Sequence, residues 1–230
     1  MKILRFVPRS PAKEDMLVEP IPAKKNVPDW YKDGEMFFTG ADGNPSPGLK
    51  SCKPFIDVMI SGYFILTPFD IYISNDDEGQ LKIQWDGPDT WSGFIGERPK
   101  ALGATIPVPA GHRSNHLVWS TAWGWKTPRG WSSLVTHPFN RSELPFRTSS
   151  GIIDSDRYFG NGNIPFHLRA DFTGLIPKDT PYAQVIPIKR SSWKSFMDYG
   201  LSGKASVRGR NLRKPNQGYN LIEWVRKEYE

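Results

Sequence analysis

A single cysteine, Cys52, is the whole thiol complement of this 230-residue chain. One cysteine cannot close an internal disulfide, and it excludes a zinc centre built from several thiolates. Long apolar runs are missing too. The longest apolar block, Ile56 to Leu66, is broken by Ser61 and Gly62, well short of the roughly 18 residues a membrane-crossing helix needs. The first nine residues lack the continuous apolar core and small-residue cleavage site of a secretory signal. These absences lead to an expectation of no membrane partner, and of a reducing cytosol as the compartment.

Positive charge is absent as a surplus from most of the chain. Residues 1 to 188 carry equal numbers of basic and acidic side chains, whereas from Lys189 onward ten Lys or Arg face four Asp or Glu. The net charge of +6 therefore belongs to the last 42 residues. A basic tail on a neutral body suits an arm that meets a phosphate-bearing or acidic surface. Lys204, Arg208, Arg210, Arg213 and Lys214 are the candidate contacts for nucleic acid or an acidic partner.

Glycine and proline, 21 of each, cut the chain into many short elements, which favours β structure over a helical bundle. Residues 1–50 hold seven prolines and read as an N-terminal arm; Trp30, Tyr31, Phe37 and Phe38 argue that it packs rather than floats. Residues 51–190 read as a β-rich core. Within it, Phe55 to Tyr63 fits a short helix or a buried strand. Strands are expected at Ile65 to Ser74, Gln80 to Trp85, Leu117 to Trp123, Ser132 to His137, Phe166 to Asp171 and Tyr182 to Ile188. Asp76-Asp77-Glu78 reads as a polar hairpin turn, and Trp119, Trp123, Trp125 and Trp131 as core positions. Residues 191–230 read as a short helix from an N-cap at Ser191 to Tyr199, a basic linker from Gly200 to Gly218, and an amphipathic helix over Leu221 to Tyr229. His112 and His116 have zinc-like i, i+4 spacing, but Pro107, Pro109 and Gly111 oppose a helix there, and no metal site is expected.

The stretch Gly151-Ile152-Ile153-Asp154-Ser155-Asp156, followed by Pro181-Tyr182-Ala183-Gln184, resembles the third and fourth motifs of deoxyuridine triphosphatases (dUTPases). The second motif of that family has its counterpart in Pro128-Arg129-Gly130-Trp131-Ser132-Ser133-Leu134, with two residues inserted between the arginine and the serines. The aromatic after motif three is displaced to Tyr158. For the glycine-rich fifth motif, the nearest segment is Arg208-Gly209-Arg210. The resemblance covers Pro128 to Lys189. Over more of the chain, Pro54 to Gly62, Thr136-His137-Pro138-Phe139-Asn140-Arg141 and Pro187-Ile188-Lys189-Arg190 resemble a family of bacterial and tailed-phage proteins that brings no activity with it.

The dUTPase resemblance implies a mainly β fold: a β-clip, small barrel or sandwich, with short helices near the C-terminus. It also implies homo-oligomers, trimers among them. In that family Asp154 would be the general base for water attacking a magnesium-bound triphosphate. Ser132, Ser133, Tyr158 and Gln184 would bind substrate. On the residues alone, Gly151 to Asp156 also reads as a tight hairpin with two core isoleucines and turn-forming aspartates. Displacement of Arg129 and Tyr158 removes the phosphate clamp and the base contact. The leading expectation is therefore a non-catalytic binding or assembly module, such as a structural protein of a phage virion, needing no cofactor. Its homo-oligomeric or other virion partners would place it in the virion or the cytoplasm, the host's if the chain is viral. The alternatives are a diverged nucleotide hydrolase using Asp154 and magnesium, and a nucleic-acid binder using the tail.

Overall fold

The computed structural model of the chain describes residues 2–9, 17–88, 91, 93–103, 106–160, 162–212, 219 and 223–230. Sixteen short strands and four helices are named among them. The strands are β1 (Arg5–Pro8), β2 (Ile21–Pro22), β3 (Phe37–Thr39), β4 (Pro45–Pro47), β5 (Tyr63–Leu66), β6 (Ile71–Asn75), β7 (Leu81–Trp85) and β8 (Ile95–Glu97). They continue with β9 (Leu117–Ser120), β10 (Trp123–Lys126), β11 (Trp131–Thr136), β12 (Phe146–Thr148), β13 (Gly151–Ile153), β14 (Asn163–Leu168), β15 (Gly174–Ile176) and β16 (Pro181–Lys189). The helices are α1 (Asp29–Lys32), α2 (Lys53–Ile60), α3 (Lys100–Gly103) and α4 (Ser202–Leu212). All pairings are antiparallel. The chain is thus mainly β, as expected, and it divides into two compact units.

The first unit comprises residues 1–23 and 62–190. A five-stranded sheet runs in the order β13-β11-β16-β5-β2, a four-stranded one in the order β12-β14-β9-β8, and a three-stranded one in the order β15-β6-β7. A separate ribbon joins β1 to β10. Between them lies one aromatic core. Trp119 is fully buried and stacks on Phe166, with ring centroids 3.9 Å apart and planes 12° from parallel. Tyr182 lies 4.9 Å from the same indole, and Phe146 meets it edge-on at 5.2 Å. Each fully buried side chain of this size contributes about 1.5–3 kcal/mol, which makes Trp119 a main support of the fold. Trp125 is buried with it, while Trp123 is half-buried and donates its indole N–H to the Val18 carbonyl at 2.9 Å.

The second unit comprises residues 24–61 and 191–230. Phe55 to Tyr63 divides: the helical alternative holds for α2, and β5 then begins at Tyr63. Tyr31 of α1 stacks on Phe55 at 6.1 Å, which accounts for the aromatic content of the N-terminal segment. On the same helix as Phe55, Asp57 accepts hydrogen bonds from Trp224 Nε1 at 2.9 Å and Lys227 Nζ at 2.5 Å.

The tail differs from expectation. Residues 191–198 form no helix, although Ser191 could cap one, and Trp193, Phe196 and Met197, which would be its apolar side chains, are exposed. The helix instead forms at α4, inside the stretch expected to be a linker. Of the helix expected over Leu221 to Tyr229, residues 221–222 lie outside the described residues and 224–230 contain no helix; the Trp224 backbone N–H donates to the Tyr219 carbonyl at 2.9 Å, and Asp57 engages Trp224 and Lys227.

Candidate functional site

The three segments resembling dUTPase motifs lie on adjacent strands, β13, β11 and β16, in that order. Register fixes the meeting points: Ser133 lies across from Ile153 on one side and Pro187 on the other, and Trp131 lies across from Lys189. Gly151 to Asp156 is not a self-contained hairpin. It is an edge strand on β11 followed by a turn, in which the backbone N–H groups of Arg157 and Tyr158 both donate to the Asp154 carbonyl, at 2.9 and 3.0 Å. Ile152 consequently faces out, 66% exposed, and only Ile153 reaches the core. Successive strand residues point to opposite faces of the sheet, so with Ile153 on the core Ile152 points away from it.

At the end of this sheet Asp154 meets Ser132, whose hydroxyl donates to Oδ1 at 2.7 Å. Arg190, one residue beyond β16, lies across the same carboxylate. Its Nη1 is 3.2 Å from Asp154 Oδ1, 3.1 Å from Ser132 Oγ and 2.8 Å from Asp156 Oδ1, and its Nη2 pairs with Asp156 Oδ2. The Asp156 side chain is nearly buried, at 5% exposure, while Asp154 remains 57% exposed. The backbone N–H of Gly130 adds a hydrogen bond to Asp156 at 2.8 Å.

The two residues inserted in motif two thereby acquire a role. Gly130 takes a left-handed conformation, φ 83°, that turns its N–H toward Asp156, and Arg129 is carried out to the surface. Electrostatics follow from these contacts. Hydrogen bonding from Ser132, with the Arg190 charge behind it, holds the Asp154 carboxyl below the ordinary carboxylate range. Asp156 is held lower still, first by its hydrogen bonds from Arg190 and then by that from Gly130. The Arg190 guanidinium is shifted up by the same pairing.

The other candidate residues scatter. Ser133 is fully buried, its hydroxyl 2.7 Å from Ser155, which is itself 2.9 Å from Thr127. Gln184 is fully buried two strands over, accepting from the Phe139 backbone N–H at 2.9 Å. Tyr158 is 59% exposed. Only Asp154 and Ser132 are brought together. In the second unit, Lys204 and Arg208 lie exposed on α4 and Arg208 pairs with Glu223. Arg213 and Lys214, and the side chain of Arg210, lie outside the described residues. His116 is buried and stacks on His167, whereas His112 is half-buried and its strand bridge is to Arg169. Sequence reasoning does not single out Arg190, although its place follows once the two strands are paired: Lys189 lies across from Trp131, the Arg190 N–H donates to the Gly130 carbonyl, and the guanidinium reaches Ser132.

A magnesium-bound phosphate at Asp154 would have to compete with the Ser132 hydroxyl and the Arg190 guanidinium, both of which hold Oδ1. Among the described residues no group of three His, Cys, Asp or Glu is placed to hold a metal ion. Nor, among them, is any helix long and apolar enough to cross a membrane.

No family model and no curated protein matches the chain. Solved structures do. A mutant dUTPase from phage phi11 of S. aureus is 11% identical with a TM-score of 0.37, over 86% of this chain and 97% of that one. A mutant dUTPase of Staphylococcus bacteriophage 80alpha with dUpNHpp is 12% identical with a TM-score of 0.37, over 86% and 88%. A further phi11 dUTPase structure is 14% identical with a TM-score of 0.27, over 46% and 96%.

Proposed function

We propose that this chain is a non-catalytic binding and assembly module on a dUTPase-like β scaffold, serving as a structural component of a phage particle. The observation that carries the reading is the Arg190 guanidinium on Asp154. A general base must take a proton near neutral pH, and a carboxylate pinned by a serine hydroxyl and an arginine is a poor acceptor. Ser133 and Gln184 support the reading, because each is occupied by internal hydrogen bonds. The assembly role is supported by the segment after Arg190, where Trp193 is 91%, Phe196 78%, Met197 80% and Tyr199 84% exposed. So many large apolar groups in one exposed stretch suit contact with further copies or with neighbouring structural proteins.

The test is incubation of the full chain with a panel of nucleoside triphosphates and magnesium. No pyrophosphate release above the blank is expected; release that Asp154→Asn abolishes would overturn the proposal. Sizing before and after deletion of residues 191–230 tests assembly. An oligomer that falls apart is expected, and a monomer in both cases would count against it.

A further inference from the structure

The cleft beside Asp156 gathers more positive charge than its ion pairs use. Its volume is about 800 Å³, and its lining includes Lys2, Arg5, Lys126, Arg129, Arg157 and Arg190, with Asp156 the single carboxylate. Arg190 is engaged by Asp154 and Asp156. Among the described residues the other five cations form no salt bridge. The body of the chain is neutral in sum, so this concentration is local and built by the fold.

Two features go beyond exposure. First, the lysines are braced on aromatic faces: Lys2 Nζ lies 4.0 Å from the centroid of the Trp131 ring, and Lys126 Nζ lies 4.6 Å from that of Phe159. The rings fix the ammonium groups and leave their N–H donors for a ligand. Second, Arg5 stands directly across from Lys126 in the β1–β10 register, and both side chains are exposed. Like charges facing each other across a strand pair destabilise it, and a two-stranded ribbon has little margin to lose. An anion between the two would turn that repulsion into bridging.

The chemistry narrows the ligand. Arginines from β1, from the turn before β11 and from the turn after Asp154 converge, offering several planar forks that match phosphate oxygens. Arg157 acts on Asp156 without a salt bridge, and the four other cations, paired with no carboxylate among the described residues, exceed what one phosphate, at about −1.5 to −2, can balance. No aromatic side chain is among the residues lining the cleft, so the cleft offers a base nothing to stack on. We propose that this cleft binds a ligand carrying two or more linked phosphate groups, recognised through the phosphates and not through a base. Arg190 and Asp156 only wall the cleft; its free charge comes from other residues, so the proposal does not rest on the reading of Asp154.

The experiment titrates the full chain, in EDTA and low salt, with inorganic tripolyphosphate and separately with a short oligothymidylate. Sulfate at matched ionic strength is the control. The two arms distinguish a free phosphate chain from a nucleic-acid backbone. Saturable binding in either arm is expected, with a raised Tm that sulfate does not reproduce. Arg5→Gln, Lys126→Gln and Arg157→Gln should each weaken binding about tenfold, the size of one charge-assisted contact. Unliganded Arg5→Gln should melt no lower than the wild type, because it relieves the repulsion. Absence of saturable binding in both arms, or wild-type affinity in all three variants, would overturn the proposal. Without metal present, either result leaves the hydrolysis test independent.

Discussion

Arg190 grips Asp156 with both ends of its guanidinium, Nη1 to Oδ1 at 2.8 Å and Nη2 to Oδ2. This bidentate fork is the geometry in which arginine and carboxylate pair best. Asp154 shares only the near end, so the latch is built on Asp156 and reaches Asp154 second. Replacing Arg190 by Gln should therefore act on the two carboxylates differently. Asp154 should titrate closer to an ordinary aspartate but remain below it, since the larger cause of its depression, the Ser132 hydroxyl, stays. Carbon NMR of the aspartate carboxyls through a pH titration measures this. An Asp154 unmoved by the substitution would remove the electrostatic part of the argument for a pinned carboxylate.

Acid should open the same latch. Asp154 and Asp156 both bind protons more weakly folded than unfolded. Their stabilisation is therefore complete above the unfolded value of about 3.9 and is lost as pH falls through the folded values. Tm measured from pH 7 to pH 3 should drop steeply below about pH 4, and the drop should be shallower in Arg190→Gln. Parallel curves for the two proteins would show that the pairing contributes nothing to folding.

A second pH step should emerge nearer neutrality, from His137. The Thr148 backbone N–H donates to its Nδ1 at 3.3 Å, so Nε2 carries the proton and donates to the Arg141 carbonyl at 3.2 Å. A second proton would have to sit on Nδ1 and expel Thr148. Burial, the main cause, lowers the pKa of His137, and that of His116 likewise. Unfolded histidine, at about 6.5, protonates first, so stability is complete above that pH and declines below it. Urea unfolding at pH 7.5 and 5.5 should give a lower midpoint at the acid pH, and His137→Gln should narrow the gap.

The parts of this fold that are legible in the sequence are those decided locally. Leu81, Ile83 and Trp85 alternate with Lys82 and Gln84, and the strand follows from that alone; the turn before it is written in Asp76, whose Oδ1 accepts from the N–H groups of Glu78 and Gln80. What is illegible depends on distant pairing. Arg5–Pro8 ends in proline and is too short to announce itself, and its partner β10 lies more than a hundred residues on. The cleft and its opposed Arg5 and Lys126 are hidden for that reason. Arg190 reads as one charge among ten in a tail, because only the β11–β16 register brings it to Ser132 and Asp154. Helix α4 escapes notice for a different reason: Gly203, Gly209 and its many polar residues give no apolar stripe to detect.

Gly62 has no room for a side chain. It sits immediately before β5 with φ 69°, and a Cβ there would come within 2.1 Å of the Val185 carbonyl oxygen and 3.0 Å of Ile186 Cα. Val185 is paired with Tyr63 in the β16–β5 ladder, so neither chain can yield without breaking the central sheet. Gly79 has nearly the same backbone, φ 77°, but a Cβ added there would meet nothing within 4 Å. Gly79→Ala should bear the conformational strain alone, about 1 kcal/mol. Gly62→Ala should add the cost of the clash and exceed about 3 kcal/mol, read as a lower urea midpoint at unchanged slope. The difference between the two variants isolates the steric contribution, and equal losses would mean that β5 and β16 are not packed as closely as the Gly62–Val185 contact requires.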